Sequence, residues 1–182
     1  MDPTKEKRAI TFAYKFIQQK NYDKLFQLFD AGLPIETGLD AQDNTALALF
    51  CQSLDLVGMQ KMLEKGALLS TPNKQGRVAL HLLVQVDKTG QATEWLLSIE
   101  GIENQLDVDA ASTNGGVTPL MLAIKLNHEK VVEHLLNKGA NPFLEDALGQ
   151  DALAYKVATV QVDATVNPIE QMISLAKEQW RA

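Results

Sequence analysis

The sequence predicts an all-α solenoid of about five helix-turn-helix units, with degenerate capping units at both ends and one lengthened loop. Three observations predict it. The segments DAQDNTALALF (40–50), NKQGRVALHLL (73–83), TNGGVTPLMLA (113–123) and DALGQDALAYK (146–156) align without gaps as a polar turn followed by an apolar helix start. Their shared leucines, Leu47, Leu80, Leu120 and Leu153, stand 33, 40 and 33 residues apart, and self-similarity at such a period marks a stacked repeat. A glycine also recurs after the leucine-rich helices, in LEKGA (63–67), LSIEG (97–101) and LNKGA (136–140), at 19 residues from Leu47, 21 from Leu80 and 19 from Leu120.

Counting back 19 from Gly32 lands on Ala13 inside AITFAYKFI, which predicts a degenerate first unit. There Ile10, Ala13 and Ile17 form one helical face, and Tyr22, Leu25, Phe26 and Phe29 follow at offsets 0, 3, 4 and 7, the spacing of one face of a helix. Aromatic bulk suits a cap that packs on one side only. In the fourth unit Val131, Leu135 and Leu136 mark an apolar face, with Glu129, Lys130, Glu133 and Lys138 on the other. Thr118 and Pro119 are expected to start its first helix, Thr by accepting a backbone N–H and Pro because it loses no needed donor. Gly139 is expected to end its second. In the last unit Asn167-Pro168-Ile169-Glu170 opens a helix, and Ile169, Met172, Ile173, Ala176 and Trp180 should close the stack.

The expected boundaries within one domain, 1–182, are 4–36, 40–72, 73–112, 113–145 and 146–182. The 40-residue interval holds seven extra residues, two between Leu80 and Gly101 and five between Gly101 and Gly116. Residues 102–115 therefore form an inserted loop, the kind of element that often carries function. The stretch VATVQVDATV (157–166) alternates apolar and polar residues and is expected to be extended.

These segments resemble the ankyrin-repeat family, most closely in GVTPLMLAIKLNHEKVVEHLLNKGANP (116–142). The family's TPLH turn stands here as Thr118-Pro119-Leu120-Met121, Val78-Ala79-Leu80-His81 and Thr45-Ala46-Leu47-Ala48. The resemblance implies a scaffold that binds another protein without catalysis. It further implies that His81 braces the turn by hydrogen bonding, that His128 lies between paired helices, and that turn tips and inner helices form a concave binding face. Carried across position by position, that face takes Gln42, Asn44, Lys74, Gln75, Arg77, Val117, Leu148 and Gln150 from the turns, and Gln52, Gln85 and Lys125 from the helix ends. Few aromatics stand among them, so affinity should lean on hydrogen bonds and electrostatic fit.

Composition excludes other classes. With 17 Lys and Arg against 23 Asp and Glu, the net charge is −6, the wrong sign for broad attraction to nucleic acid or anionic lipid. No apolar run approaches a membrane span or a signal peptide. One cysteine, Cys51, cannot close an intramolecular disulfide, which fits a reducing compartment. A cytoplasmic monomer with a protein partner is the expectation. Intracellular bacteria also deploy this family in their hosts, which leaves export open.

No cofactor or metal is expected. His128 and His134 are six apart, about 240° around a helix, so they cannot share a metal on one face. Asp107 and Asp109 offer too few oxygens for calcium, and Gly115-Gly116 lacks the Lys-Ser or Lys-Thr of a phosphate loop. One catalytic alternative is worth stating. LLVQVDKTG (82–90) resembles the phosphorylated-aspartate motif of ion-pumping ATPases, with Asp87 as the nucleophile of a phosphohydrolase or phosphotransferase. Gln91 replaces that family's Thr, and the same residues fit a turn between two helices. A purely structural or oligomerising role is a third reading.

Overall fold

Helices form where apolar residues recur at helical spacing, and they stop where the backbone must turn left-handed. In the computed structural model, described for residues 2–102, 104–155 and 167–181, α1 spans Pro3–Gln18, α2 Tyr22–Asp30, α3 Ala46–Gln52, α4 Leu56–Glu64 and α5 Ala79–Val86. Next come α6 Gln91–Ser98, α7 Pro119–Lys125 and α8 Glu129–Asn137, then a 3₁₀ turn at Ala152–Tyr155 and α9 at Pro168–Arg181. No strand occurs among the described residues. Helices α1, α3, α5 and α7 pack on one another in chain order, and the 3₁₀ turn continues that inner row; α8 touches α6 and α9 in an outer row. The extended conformation expected for 157–166 lies outside the described residues.

The inner helices of the three middle units, α3, α5 and α7, bury almost everything they carry. Ala46–Cys51, Ala79–Val84 and Pro119–Ile124 are buried throughout, and Leu47, Leu80 and Leu120 are wholly inaccessible. Thr118 Oγ1 accepts the Met121 N–H at 3.3 Å and Pro119 follows as the first helical residue, as the cap chemistry predicts. The fourth shared leucine departs from the pattern. Leu153 is exposed and Ala152 takes the buried place, in a 3₁₀ turn over Ala152–Tyr155.

At the C-terminal end Ile169, Ile173 and Ala176 of α9 are buried as expected, but Trp180 is 53% exposed. It lies beside Leu136 and Asn137 at the end of α8, where the neighbouring apolar stripe runs out. Polar fastenings hold the cap. Lys177 forms an ion pair with Asp151, and Lys177 and Arg181 sit 5.0 and 5.3 Å from the Phe143 ring centroid, cation–π distances.

The turns between paired helices explain the two extra residues of the third unit. Units one, two and four each use one left-handed residue there, Lys20, Leu54 and Asn127, with φ of 52°, 54° and 57°. In the third unit α5 runs one residue longer and the turn Asp87–Gly90 adds one more, with Gly90 at φ 78° as the left-handed residue and N-cap of α6.

The described residues of the loop, 102 and 104–115, are folded onto the body. Ile102 is buried, and Leu106 and Val108 pack against the core. Asp109 Oδ1 accepts the Asn141 N–H at 2.9 Å. That contact ties the loop to the tail of the next unit, as Glu36 Oε1 does by accepting the Leu68 N–H at 2.8 Å.

Candidate binding face

Three of the four turn tips are closed by a short polar side chain that accepts backbone N–H groups two and four residues on, and at the fourth Ser112 Oγ accepts the Val117 N–H five residues on at 3.1 Å. Asp40 Oδ1 takes those of Gln42 and Asn44 at 3.0 and 2.9 Å; Asn73 Oδ1 those of Gln75 and Arg77 at 2.9 and 3.0 Å; Asp146 Oδ1 those of Leu148 and Gln150 at 2.8 and 2.9 Å. Asx turns of this kind let Asp and Asn replace a missing backbone partner. Successive tips are then stitched together. The N–H groups of Lys74, Asn114 and Ala147 donate to the carbonyls of Gln42, Gln75 and Gly115 at 2.9, 3.3 and 2.9 Å. Close approach is obligatory at this seam: a Cβ on Gly76, whose φ is +68°, would lie 2.2 Å from the Thr113 nitrogen.

Eight of the eleven residues expected on the face are exposed: Gln42, Lys74, Gln75, Leu148 and Gln150 on the tips, and Gln52, Gln85 and Lys125 at the inner-helix ends. Arg77 and Val117 are half-buried. Asn44 is a correction. It is 4% exposed, with Nδ2 donating to Asp40 Oδ2 at 2.8 Å and Oδ1 accepting from Asn73 Nδ2 at 2.8 Å, so its amide is consumed in joining two tips. Arg77 Nη1 donates to Gln85 Oε1 at 3.3 Å, which joins a tip and an inner-helix end into one surface. Gln18, the corresponding last residue of α1, was not singled out from the sequence, although its step of 34 residues to Gln52 is legible there.

The buried histidines act as braces between units. His81 Nδ1 accepts the Val78 N–H at 3.4 Å, which leaves Nε2–H to donate to the Val117 carbonyl at 2.9 Å. His128 Nδ1 donates to the Val84 carbonyl at 3.0 Å, one of the acceptors that a helix C-terminus leaves unpaired. Burial lowers the pKa of His81, with Arg77 adding to the effect and the Val117 carbonyl and Asp107 opposing it. A histidine depressed in the fold stays neutral while the unfolded chain takes up a proton, so its contribution is complete above about pH 6.5 and is lost as the pH falls below it. The urea midpoint is therefore expected to drop between pH 7.5 and 5.5, with a shallower pH slope in His81→Gln. Parallel slopes in the two proteins would remove His81 as the cause.

The remaining reactive groups are enclosed. Cys51 is fully buried, and burial pushes its thiol up to about 12, far from a reactive thiolate. Asp87 is 1% exposed. Its Oδ1 accepts from Thr89 Oγ1 and the Gly90 N–H at 3.0 and 2.9 Å, and its Oδ2 accepts from the Thr93 N–H and Oγ1 at 2.8 and 2.9 Å. Gly90 has no side chain with which to cap α6, and Asp87 supplies that oxygen from three residues upstream. Both carboxylate oxygens are therefore engaged in bracing a turn. Among the described residues no group of three or more His, Cys, Asp or Glu could hold a metal ion, and no helix is long and apolar enough to cross a membrane.

A stack of helix pairs, joined at hydrogen-bonded tips and leaving one ordered row of polar residues exposed, defines a helical-repeat scaffold. A family model described as "Ankyrin repeats (3 copies)" matches residues 73–146. The chain is an ankyrin-repeat protein. It is 32% identical over 133 residues to neurogenic locus notch homolog protein 1 of Xenopus tropicalis, a match covering 73% of this chain and 5% of that protein. The Danio rerio protein of the same name is 32% identical over 135 residues, 74% of this chain and 5% of its own length. Phosphocholine transferase AnkX of Legionella pneumophila is 29% identical over 147 residues, 81% of this chain and 13% of that protein. The chain thus spans a small part of the relatives it matches. Ankyrin repeats generally mediate protein–protein interaction.

Proposed function

We propose that the chain is a non-catalytic adaptor that docks a partner protein on the face made by the tips and the inner-helix ends. The observation that carries this reading is the Arg77–Gln85 contact at 3.3 Å, which makes the exposed tip residues and the Gln52, Gln85 and Lys125 row parts of one surface. Inner-helix residues before that row are almost wholly buried, so specificity rests on the side chains that remain exposed. The phosphoryl-transfer alternative gains no support from Asp87, whose oxygens already carry four hydrogen bonds.

Reversing two charges on this face while leaving the core intact is the direct test. Arg77→Glu with Lys125→Glu is expected to weaken capture of a partner at least tenfold, since charge reversal across an interface is strongly unfavourable. The helical circular dichroism should be unchanged. Equal capture by the variant and the parent would move the binding surface elsewhere.

A further inference from the structure

We infer that the occupant of this face is an extended, acidic polypeptide segment, read by a row of three side-chain amides and a lysine that crosses four units; the inference rests on the binding-face reading above. Gln18, Gln52, Gln85 and Lys125 share one register position, each five residues after a buried inner-helix residue, Ala13, Leu47, Leu80 or Leu120. All four are exposed at or next to the end of an inner helix. Three residues before each, on the same helical face, stand Lys15, Leu49, Leu82 and Leu122. The leucines are 6, 4 and 9% exposed, so the amides stand beside a narrow apolar floor.

Spacing selects the conformation of what lies along this row. Packed helices are about 8–10 Å apart, and an extended chain advances about 3.3 Å per residue, so each unit meets about three residues of an extended segment. A glutamine amide offers one acceptor oxygen and two N–H donors, the complement of a peptide group. A helical partner spends those backbone groups internally and can offer the amides only its side chains. The row therefore holds main chain, and the partner's own side chains meet the leucine floor and the tips.

Charge selects the composition of the segment. Lys15 and Lys125 lie towards opposite ends of the row and Arg77 adjoins Gln85, while Asp43 on the neighbouring tip is already paired with Lys74 at 3.4 Å. Along the row itself the charges are cationic, in a chain of net charge −6, and the tip carboxylates of Asp40 and Asp146 are engaged by the backbone of their own turns. Carboxylates at both ends of the segment complement the row.

A random dodecapeptide library displayed on phage and panned against the intact chain tests this. Enriched sequences are then made as fluorescent peptides and titrated by anisotropy into three proteins: the parent, Gln52→Ala/Gln85→Ala, and Arg77→Glu/Lys125→Glu. Enrichment of Asp and Glu is expected, with at least a tenfold loss of affinity in both variants. Peptides weakened by the charge reversal but not by the loss of the two amides overturn the amide row and leave the binding face standing. Peptides indifferent to both variants overturn the face as well. A library that yields no binders overturns the extended occupant and leaves a folded partner on the tips. Unchanged circular dichroism in both variants keeps these outcomes separate from unfolding.

Discussion

Truncating Leu120 to Ala is expected to lower stability by about 2–5 kcal/mol, the cost of the lost methyl groups plus the cavity left behind. Leu120 has no accessible surface and sits in the helix that contacts α5, α8 and the 3₁₀ turn, so the void opens where three elements meet. Close packing gives those elements no inexpensive way to collapse into it. A chain of this length loses about 2–4 °C of melting temperature per kcal/mol, and a fall of roughly 5–15 °C is expected by thermal circular dichroism. Leu148→Ala is the control. That leucine is 81% exposed, and its truncation should change stability by less than about 0.5 kcal/mol. If the two variants melt together, Leu120 does not carry the interface between units.

Asp87→Ala should be comparably damaging, by about 2–5 kcal/mol. The substitution orphans the Gly90 and Thr93 N–H groups and the Thr93 hydroxyl, and each buried donor left without an acceptor costs about 1–3 kcal/mol. Asp87→Asn should recover part of the loss, since one amide oxygen can still accept, while its NH₂ meets donors on the other side. Native-state hydrogen exchange locates the effect. Protection should fall first at the start of α6, with the inner helices holding longer, because stability in a repeat stack is shared mainly between neighbours. An Asp87→Ala protein that unfolds at the parent's urea midpoint would mean that the cap carries no energy.

These two residues differ in how legible they were. The burial of Leu120 follows from its place in a period that Leu47 and Leu80 share, and its helix start from Thr118-Pro119. The DKTG segment resembles a phosphorylated-aspartate motif, but Gln91 in place of that family's Thr already weighed towards a lengthened turn. The direction of the Asp87 oxygens, towards Gly90 and Thr93 and away from solvent, shows what the carboxylate does in that turn. Likewise, the two extra residues of the third unit could be counted from Leu80 and Gly101, but their division between a longer α5 and a longer turn could not.

The sequence by itself determined the class of fold, the stacking of about five units, the buried leucines of the three middle units and most of the exposed face. Each unit's own residues carry that information, through helical periodicity, caps and left-handed turn positions within a few residues of one another. Tertiary structure decided which polar side chains remain available. Asn44 is consumed by Asn73, His81 by Val117 and His128 by Val84, partners 29, 36 and 44 residues away on the adjoining unit. It also decided that 104–115 folds onto the body through Asp109 and Asn141, and that Leu153 and Trp180 face solvent at the end of the stack. A period states where a residue sits within its own unit; whether a neighbour takes up its hydrogen bonds or covers its surface depends on the side chain that the next unit brings against it.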